Sequence, residues 1–267
     1  MKLIYTFLFI IVIFASCVPD PILEDAGGRE IGMLDVDLEL SEDITRVREA
    51  PVGNLITDSV MYFVNKNLKE DVREFFKKES NSFEVDFAII NSGSIRPLSE
   101  LYEDEIIPQG PFTIGTLNQL LPFRNYIYIV EISGAELKSI FEHSVAKIAN
   151  KAGQFLHVSK SVVLTYDKSK APELLSNDNE EIIKEGERVI SIKINGVEID
   201  NLTKYYVAMS GYLAVDNGDK FLTLDNIDKS LKMKTEVTFK NAVEVYFSEN
   251  NLINPSVEGR IIDLDSL

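Results

Sequence analysis

The residues best suited to chemistry lie between positions 87 and 123. An apolar run, F-A-I-I, leads into N-S-G-S-I-R, which contains Asn91 and Arg96, and Phe123 follows a proline at the end of a short apolar segment. A guanidinium offers parallel N–H donors to an oxyanion, an amide donates and accepts, and an aromatic ring offers a flat apolar face. Together, these groups suit a ligand that is part anion and part aromatic ring.

Each of these signals also has a simpler interpretation. Residues 91–94 have turn composition, and successive N–H groups in such a turn can form an anion-binding nest, but similar turns occur in most domains. Phe123 taken alone is better explained as a core residue. Arg46, in the segment R-V-R-E, is better explained as a solvated charge beside the next helix.

The composition limits the class of protein. The chain has 267 residues, 45% of them hydrophobic, which is enough for one large domain or two small ones. Its formal net charge of −16 makes a nucleic-acid duplex or an anionic membrane surface a poor partner. An acidic protein that binds an anion must concentrate its arginines locally, so clustered arginines are informative.

The N-terminus has the pattern of an export signal. In residues 1–16 a single lysine precedes an apolar run that is shorter than a typical membrane span, and small residues follow. Ala15-Ser16-Cys17 resembles the lipobox of bacterial lipoproteins, and Cys17 is the only cysteine. We therefore predict a lipoprotein signal peptide, a lipidated Cys17 with a tether over residues 17–32, and an exported protein lipid-anchored to a bacterial membrane, on its periplasmic side or at the cell surface.

The remaining pattern predicts one α+β domain over residues 33–267, a single domain with a mixed β-sheet and packed helices. Ser133 and Glu136 form a capping box that begins a helix, and Asn195-Gly196 is a strong hairpin turn. Residues 168–187 are acidic and predict a mobile excursion. We predict other helices from Pro51, within 68–82, at 116–121 and at 241–249, and strands at 36–40, 83–90, 126–132, 155–158, 162–166, 189–194, 197–199, 205–209 and 259–264.

Six segments, in order, resemble the C-terminal, substrate-binding domain of 5′-nucleotidases. They are R-V-R-E-A-P-V-G-N-L-I-T-D, I-I-N-S-G-S-I-R, L-P-F-R-N, G-Q-F-L-H-V-S, Y-Y-V-A-M-S-G-Y-L-A and P-S-V-E-G-R-I, and they cover nearly all of residues 33–267. In that family the domain binds a nucleotide and presents its phosphate to a neighbouring domain. The resemblance implies that Arg46, Asn91 and Arg96 hold the phosphate, for which charge-assisted hydrogen bonds are suitable.

The resemblance also assigns the nucleoside. It implies that Phe123 and Tyr212 sandwich the base, where Tyr212 stands in place of a common phenylalanine and keeps the stacking face. Asn125 and the backbone at Gly153 would contact the base edge. An acid in the turn would accept hydrogen bonds from the ribose hydroxyls.

That acid is not fixed by the alignment of motifs. The family commonly reads G-G-D-G-[FY], whereas this chain reads D-N-G-D-K-F from Asp216 to Phe221, with one residue inserted. We choose Asp219, and Asp216 remains open.

The family's metal-binding half has no counterpart in this sequence. Full-length 5′-nucleotidases carry D-x-H, G-N-H-[DE] and G-H-x-H motifs that hold two metals, whereas this chain contains only His143 and His157. Neither has a neighbouring histidine or acid at ligand spacing, so ordinary interior roles are favoured. We predict no catalytic residue, metal site or cofactor here, and phosphate hydrolysis by this chain alone is implausible.

Three functions follow as hypotheses. The first is the nucleotide-binding, substrate-specificity part of a split 5′-nucleotidase, with divalent metals on a separate metallophosphatase chain. The second is a stand-alone surface lipoprotein that binds nucleotides or nucleosides without catalysis. The third is a structural or adhesive protein that kept the fold and lost the ligand. The first is favoured by analogy with the family.

Overall fold

The computed structural model describes residues 28–99, 102–250 and 252–266. The predicted signal peptide, Cys17 and most of the predicted tether lie outside these ranges. The first strand, Glu30–Leu34, begins inside the segment that we assigned to the tether, so the folded part starts a few residues earlier than expected. None of the helices in the described residues has the length and apolar composition that a membrane crossing requires.

Fifteen strands form in the described residues. In chain order they are β1 Glu30–Leu34, β2 Leu38–Glu39, β3 Phe87–Asn91, β4 Ile106–Ile107, β5 Gly110–Thr113, β6 Tyr126–Ser133, β7 Leu156–Val158, β8 Val162–Tyr166, β9 Leu174–Leu175, β10 Ile182–Lys184, β11 Val189–Ile194, β12 Val197–Glu198, β13 Lys204–Ser210, β14 Lys232–Thr238 and β15 Ile261–Asp263.

Eight α-helices accompany them in the same part of the chain. They are α1 Glu42–Thr45, α2 Pro51–Phe63, α3 Lys69–Phe75, α4 Ile114–Leu120, α5 Gly134–Ala146, α6 Gly211–Ala214, α7 Leu222–Asn226 and α8 Phe239–Glu249. A π-helical segment, Val64–Leu68, joins α2 to α3. The predicted capping box at Ser133 and Glu136 is confirmed at the start of α5, and the predicted proline lies in the first turn of α2.

A five-stranded mixed sheet in the order β14-β6-β13-β3-β7 lies at the centre. Strands β3 and β13 are parallel, and the other neighbours are antiparallel. A four-stranded sheet, β12-β11-β8-β15, pairs β8 and β15 in parallel. The pairs β1-β5, β2-β4 and β9-β10 form three two-stranded sheets. The predicted mixed α+β fold is therefore confirmed.

Strand β3 in the central sheet is buried on both faces, which explains why its sequence is almost continuously apolar. Ala88 and Ile90 of β3 belong to one hydrophobic cluster, which includes α2 and α8. The intervening Phe87 and Ile89 belong to a second cluster, with α5, β8 and β11. Alternate residues of a strand point to opposite faces, so one short strand contributes to both parts of the core.

Several local expectations need correction. Only Leu38–Glu39 of the predicted strand 36–40 is a strand, and β14 was not predicted at all. The predicted excursion at 168–187 contains the hairpin β9–β10, and its Glu173 is buried. The hairpin at Asn195-Gly196 is confirmed: both residues have positive φ, 52° and 79°, as a two-residue type I′ turn requires.

Candidate functional site

Three strand ends meet at one edge of the central sheet. Because β3 and β13 are parallel, their carboxyl ends lie at the same edge. Strand β6 runs antiparallel to β13 and begins there, with Ile127 opposite Ser210. The turn after β3, the helix α6 after β13 and residues 123–125 before β6 are consequently brought together. This placement resembles the strand-end crevices where open sheets commonly bind ligands.

A cleft of about 430 Å³ lies at this edge. It collects six of the eight residues that the sequence assigned to ligand binding, together with the alternative acid Asp216. It also contains Gly93 and Ser94, which the sequence identified only as turn residues. The lining residues are Asn91, Gly93, Ser94, Arg96, Phe123, Asn125, Tyr212, Asp216 and Asp219.

Arg96 and Phe123 form the cationic part of the cleft. The guanidinium carbon lies 5.0 Å from the centroid of the Phe123 ring, within cation–π range. Phe123 is 44% exposed, although it follows a buried segment. Among the described residues, no carboxylate lies within ion-pair distance of Arg96, and Arg96 lines the cleft. Phe123 is thus a surface ring and not the core residue that its sequence alone favoured.

Tyr212 supplies a second ring to the cleft and is 38% exposed. The Tyr212 ring packs directly against Gly218, where an added Cβ would lie 2.4 Å from a ring carbon. Burial, together with the negative charge of Asp219, raises the pKa of the Tyr212 hydroxyl. The hydroxyl therefore stays protonated and can donate at neutral pH.

Asp219 is the more firmly positioned of the two candidate acids. Its Oδ2 accepts a hydrogen bond from Asn91 Nδ2 at 2.7 Å, and its Oδ1 accepts one from the Tyr212 hydroxyl at 3.0 Å. Asp216 also lines the cleft, but it is Asp219 that makes these two hydrogen bonds. A carboxylate held from two sides has further lone pairs that can accept from ligand hydroxyls.

Asn91 is fixed by the turn that follows it. The Ser94 hydroxyl donates to Asn91 Oδ1 at 2.6 Å, which directs Nδ2 towards Asp219. The amide nitrogen carries a second hydrogen that remains for a ligand. Asn91 is 2% exposed, so this orientation is held by the interior of the protein.

The backbone N–H groups of Ser92 and Gly93 are not free to form the anion-binding nest that such a turn can make. The N–H of Ser92 donates to the Phe155 carbonyl at 2.8 Å, and the N–H of Gly93 donates to the Gly153 carbonyl at 2.9 Å. A Cβ on Gly153 would lie 3.0 Å from Cα of Gly93, so the two glycine backbones pack directly together. Gly153 thus supports the turn and is not among the lining residues.

Arg46 lies behind this support. One guanidinium nitrogen pairs with Glu42, and another donates to the Lys151 carbonyl at 3.3 Å. The buried Nε has no hydrogen-bond partner among the described residues. Arg46 is not among the residues that line the cleft, although it contacts the loop that carries Gly153.

Both histidines are buried and hydrogen-bonded. His157 donates from Nε2 to the Thr45 carbonyl at 2.8 Å, and burial lowers its pKa to about 4. His143 contacts Glu173, an acid from the segment that the sequence assigned to a mobile excursion. Within residues 28–99, 102–250 and 252–266, no three or more His, Cys, Asp or Glu side chains are grouped to hold a metal ion.

The fold is that of a mixed α+β domain with a cleft at one edge of its central sheet. A family model described as 5′-nucleotidase, C-terminal domain, matches residues 30–226. The chain therefore belongs to the 5′-nucleotidase C-terminal domain family.

Individual relatives agree with this membership. The chain is 29% identical to the 5′-nucleotidase of Homo sapiens over 250 residues and 30% identical to that of Rattus norvegicus over 250 residues. Each match covers 90% of this chain and only 38% of the relative. The chain thus spans well under half the length of these relatives.

Solved structures share the fold. The 5′-nucleotidase precursor from Thermus thermophilus matches with a TM-score of 0.73 and 24% identity, over 92% of this chain and 41% of that one. The NAD nucleotidase of Haemophilus influenzae matches with a TM-score of 0.61 and 16% identity, over 87% of this chain and 37% of that one.

Proposed function

We propose that this chain binds a nucleotide or nucleoside in the cleft, as the substrate-specificity part of a 5′-nucleotidase whose metallophosphatase lies on a separate chain. One observation carries the proposal: the Arg96 guanidinium, the exposed rings of Phe123 and Tyr212 and the hydrogen-bonded carboxylate of Asp219 line one cleft of about 430 Å³. These are the donors, faces and acceptors that a nucleotide needs.

The polarity of the cleft orients the ligand. Arg96 suits the phosphate, since a guanidinium can donate two parallel hydrogen bonds to one oxyanion. Phe123 and Tyr212 offer stacking faces, worth roughly 1–3 kcal/mol per base and tolerant of which base is bound. Asp219 accepts from hydroxyls and repels phosphate, so the sugar is favoured beside it.

Hydrolysis is assigned to the partner because it needs chemistry that the cleft residues do not offer. In a two-metal phosphatase the metals activate water and stabilise the leaving oxygen. Here the ring nitrogens His143 Nδ1, His143 Nε2 and His157 Nε2 are engaged with groups of this chain. A separate chain that holds divalent metals would receive the phosphate presented by Arg96.

Calorimetric titration of the purified protein with AMP and adenosine tests the binding half of the proposal. We expect Arg96→Gln to weaken AMP about tenfold or more and to leave adenosine nearly unchanged, because a charged hydrogen bond is worth roughly 1.5–3 kcal/mol. Phe123→Ala should weaken both ligands. Arg124→Gln is the matched control, since Arg124 is exposed and lies over Tyr126, and it should change neither affinity.

A search of the neighbouring genes for a lone metallophosphatase, followed by mixing of the two purified proteins, tests the partnership. AMP hydrolysis should rise above that of the partner alone, and Arg96→Gln should remove the rise. Binding without any such rise would favour the stand-alone binding protein, whose cleft is already reachable through the exposed Phe123 and Tyr212 rings. Absence of binding to either ligand would overturn the proposal and leave the structural or adhesive role.

We also propose that the protein is exported and lipid-anchored through Cys17. The support is the lysine, apolar run and Ala15-Ser16-Cys17 sequence at the N-terminus. Labelling of cells with a radioactive fatty acid should mark the wild-type protein and not Cys17→Ser. Label in the Cys17→Ser variant would overturn the anchor.

A further inference from the structure

We propose that His143 and Glu173 are positioning residues for the sugar end of the cleft. This inference rests on the proposed nucleotide binding. It assigns a role to the hairpin β9–β10 and to a histidine that the binding site itself does not include.

The two side chains form a buried relay to the loop that carries Asp219. Glu173 Oε1 lies 2.6 Å from His143 Nδ1, and His143 Nε2 lies 2.9 Å from the Asp219 carbonyl oxygen. The side chains of His143 and Glu173 are 5% and 1% exposed. The edge of the imidazole also contacts the Phe221 ring, with centroids 4.6 Å apart.

The acceptor at Asp219 fixes the direction of this relay. A carbonyl oxygen can only accept, so His143 Nε2 must carry a hydrogen and donate to Asp219. The Nδ1 contact with Glu173 then also needs a proton, held either by the imidazole or by the carboxyl group. In both cases one proton links the pair, and Glu173 fixes the ring that holds the loop.

The loop needs such support because its backbone is strained. Asn217, Asp219 and Lys220 all have left-handed φ values, 51°, 52° and 62°, although none of them is glycine. Such conformations persist only where the surroundings impose them. His143 binds the carbonyl of the central strained residue, whose carboxylate lines the cleft.

Glu173 is buried although only one of its two carboxyl oxygens has a hydrogen-bond partner among the described residues. Its Oε2 is buried without a hydrogen-bond partner among the described residues, so the carboxyl group is held inside through Oε1 and His143. Burying a partly unsatisfied carboxyl group is unfavourable. The residues that break such local rules are commonly functional, and here the function is to place Asp219 for the ribose hydroxyls.

Comparing two ligands separates positioning from general stability. We would titrate AMP and 2′,3′-dideoxy-AMP, which lacks the ribose hydroxyls, into the wild-type protein and into His143→Phe. We expect the substitution to weaken AMP about tenfold or more and the dideoxy analogue by less than about twofold, since only AMP uses the carboxylate. The preference for AMP should therefore collapse.

Conservative variants keep the test decisive if His143→Phe does not fold. His143→Gln places an amide nitrogen near the position of Nε2 and should restore most of the preference. Glu173→Gln should weaken AMP selectively but less than His143→Phe, because an amide can still bond the ring. Glu185→Gln, in an exposed acid just after β10, is the matched control and should bind both ligands as the wild type does.

The outcomes distinguish this inference from the proposed function. If the wild type binds AMP but His143→Phe or Glu173→Gln keeps its preference, or loses both ligands equally, the positioning role is wrong and nucleotide binding stands. Equal wild-type affinity for both ligands would also overturn the positioning role alone. If the wild type binds neither ligand, both proposals are wrong.

Discussion

The Tyr212 hydroxyl donates a hydrogen bond to the Asp219 carboxylate over 3.0 Å and accepts one from the Asp219 N–H over 3.2 Å. The ring that we propose to stack on the base and the acid that we propose to bind the ribose are thus fixed to each other. The phenolic oxygen, which a phenylalanine at this position would lack, closes this link. The position of the Tyr212 ring is therefore set without a ligand, which would lower the entropy lost if a base stacks on it.

Replacing Tyr212 separates stacking from this link. Tyr212→Phe keeps the ring, so we expect adenosine affinity to stay within about threefold of the wild type, whereas Tyr212→Ala should lose about tenfold or more. Calorimetric titration with adenosine measures both. Similar losses in the two variants would mean that the hydroxyl, and not the ring, carries the contribution.

Gly218 should be essential for the position of the Tyr212 ring. A Cβ at position 218 would lie 2.4 Å from a ring carbon and 2.5 Å from the Tyr212 carbonyl oxygen, so Gly218→Ala must displace one of them. We expect weaker adenosine binding. Gly28→Ala is the control, because nothing lies within 4 Å of its added Cβ. Unchanged affinity in Gly218→Ala would show that the ring does not contribute in this position.

Acid should destabilise the fold through His157. Its pKa is lowered by burial to about 4, whereas the unfolded histidine titrates near 6.5, so the unfolded chain binds more protons between these values. The free energy of unfolding should fall as the pH is lowered from about 6.5 to about 4, by up to about 3 kcal/mol from this residue. Urea denaturation across that range measures the effect.

The variant His157→Gln isolates this contribution. Other titrating groups are common to both proteins and cancel in the difference. The variant is expected to be less stable at neutral pH, because it perturbs the hydrogen bond to Thr45. That deficit should narrow as the pH falls towards 4. A deficit that stays constant with pH would contradict the prediction.

Lys232 should stabilise the helix that carries Tyr212. Its ammonium donates to the Ala214 carbonyl at 2.8 Å and to the Leu224 carbonyl at 2.6 Å, which ties the end of α6 to α7. Burial lowers the pKa of Lys232. We expect Lys232→Met to lower the free energy of unfolding by about 2 kcal/mol, the scale of a charged hydrogen bond. Lys229→Met, at an exposed neighbour, should have little effect in the same denaturation experiment.

The sequence predicted those structural elements that depend on a few adjacent residues. The capping box at Ser133 and the hairpin turn at Asn195 each need only a few adjacent residues, and both are found as expected. Strand β14, K-M-K-T-E-V-T, was missed because five of its seven residues are charged or polar. Its place is set by pairing with β6, where Met233 lies opposite Ile129. Pairing with a neighbouring strand, and not the strand propensity of its own residues, therefore determines that this segment is a strand.

The sequence predicted most of the residues that line the cleft, but not the hydrogen bonds that hold them in place. The motif resemblance selected most of the lining residues, but the contact between His143 and Glu173 spans 30 positions and joins a regular helix to an acidic segment without periodicity. The same limit applies to Glu49, which accepts from the N–H groups of Glu258 and Arg260 at 2.7 Å. The segments R-V-R-E and P-S-V-E-G-R-I, which the sequence analysis recognised separately, are thus in direct contact.

The position of β13 between β3 and β6 has a consequence for how the protein reaches its folded state. During synthesis, Asn91 and Phe123 are added to the chain well before residues 204–214. Those later residues form β13, which lies between β3 and β6, and the helix α6, which carries Tyr212. Closing so long a loop is slow and entropically costly. A nascent chain that lacks residues 204–214 lacks β13 and the Tyr212 wall of the cleft, so a nucleotide that binds as proposed would stabilise the finished domain by mass action and would not guide its early folding.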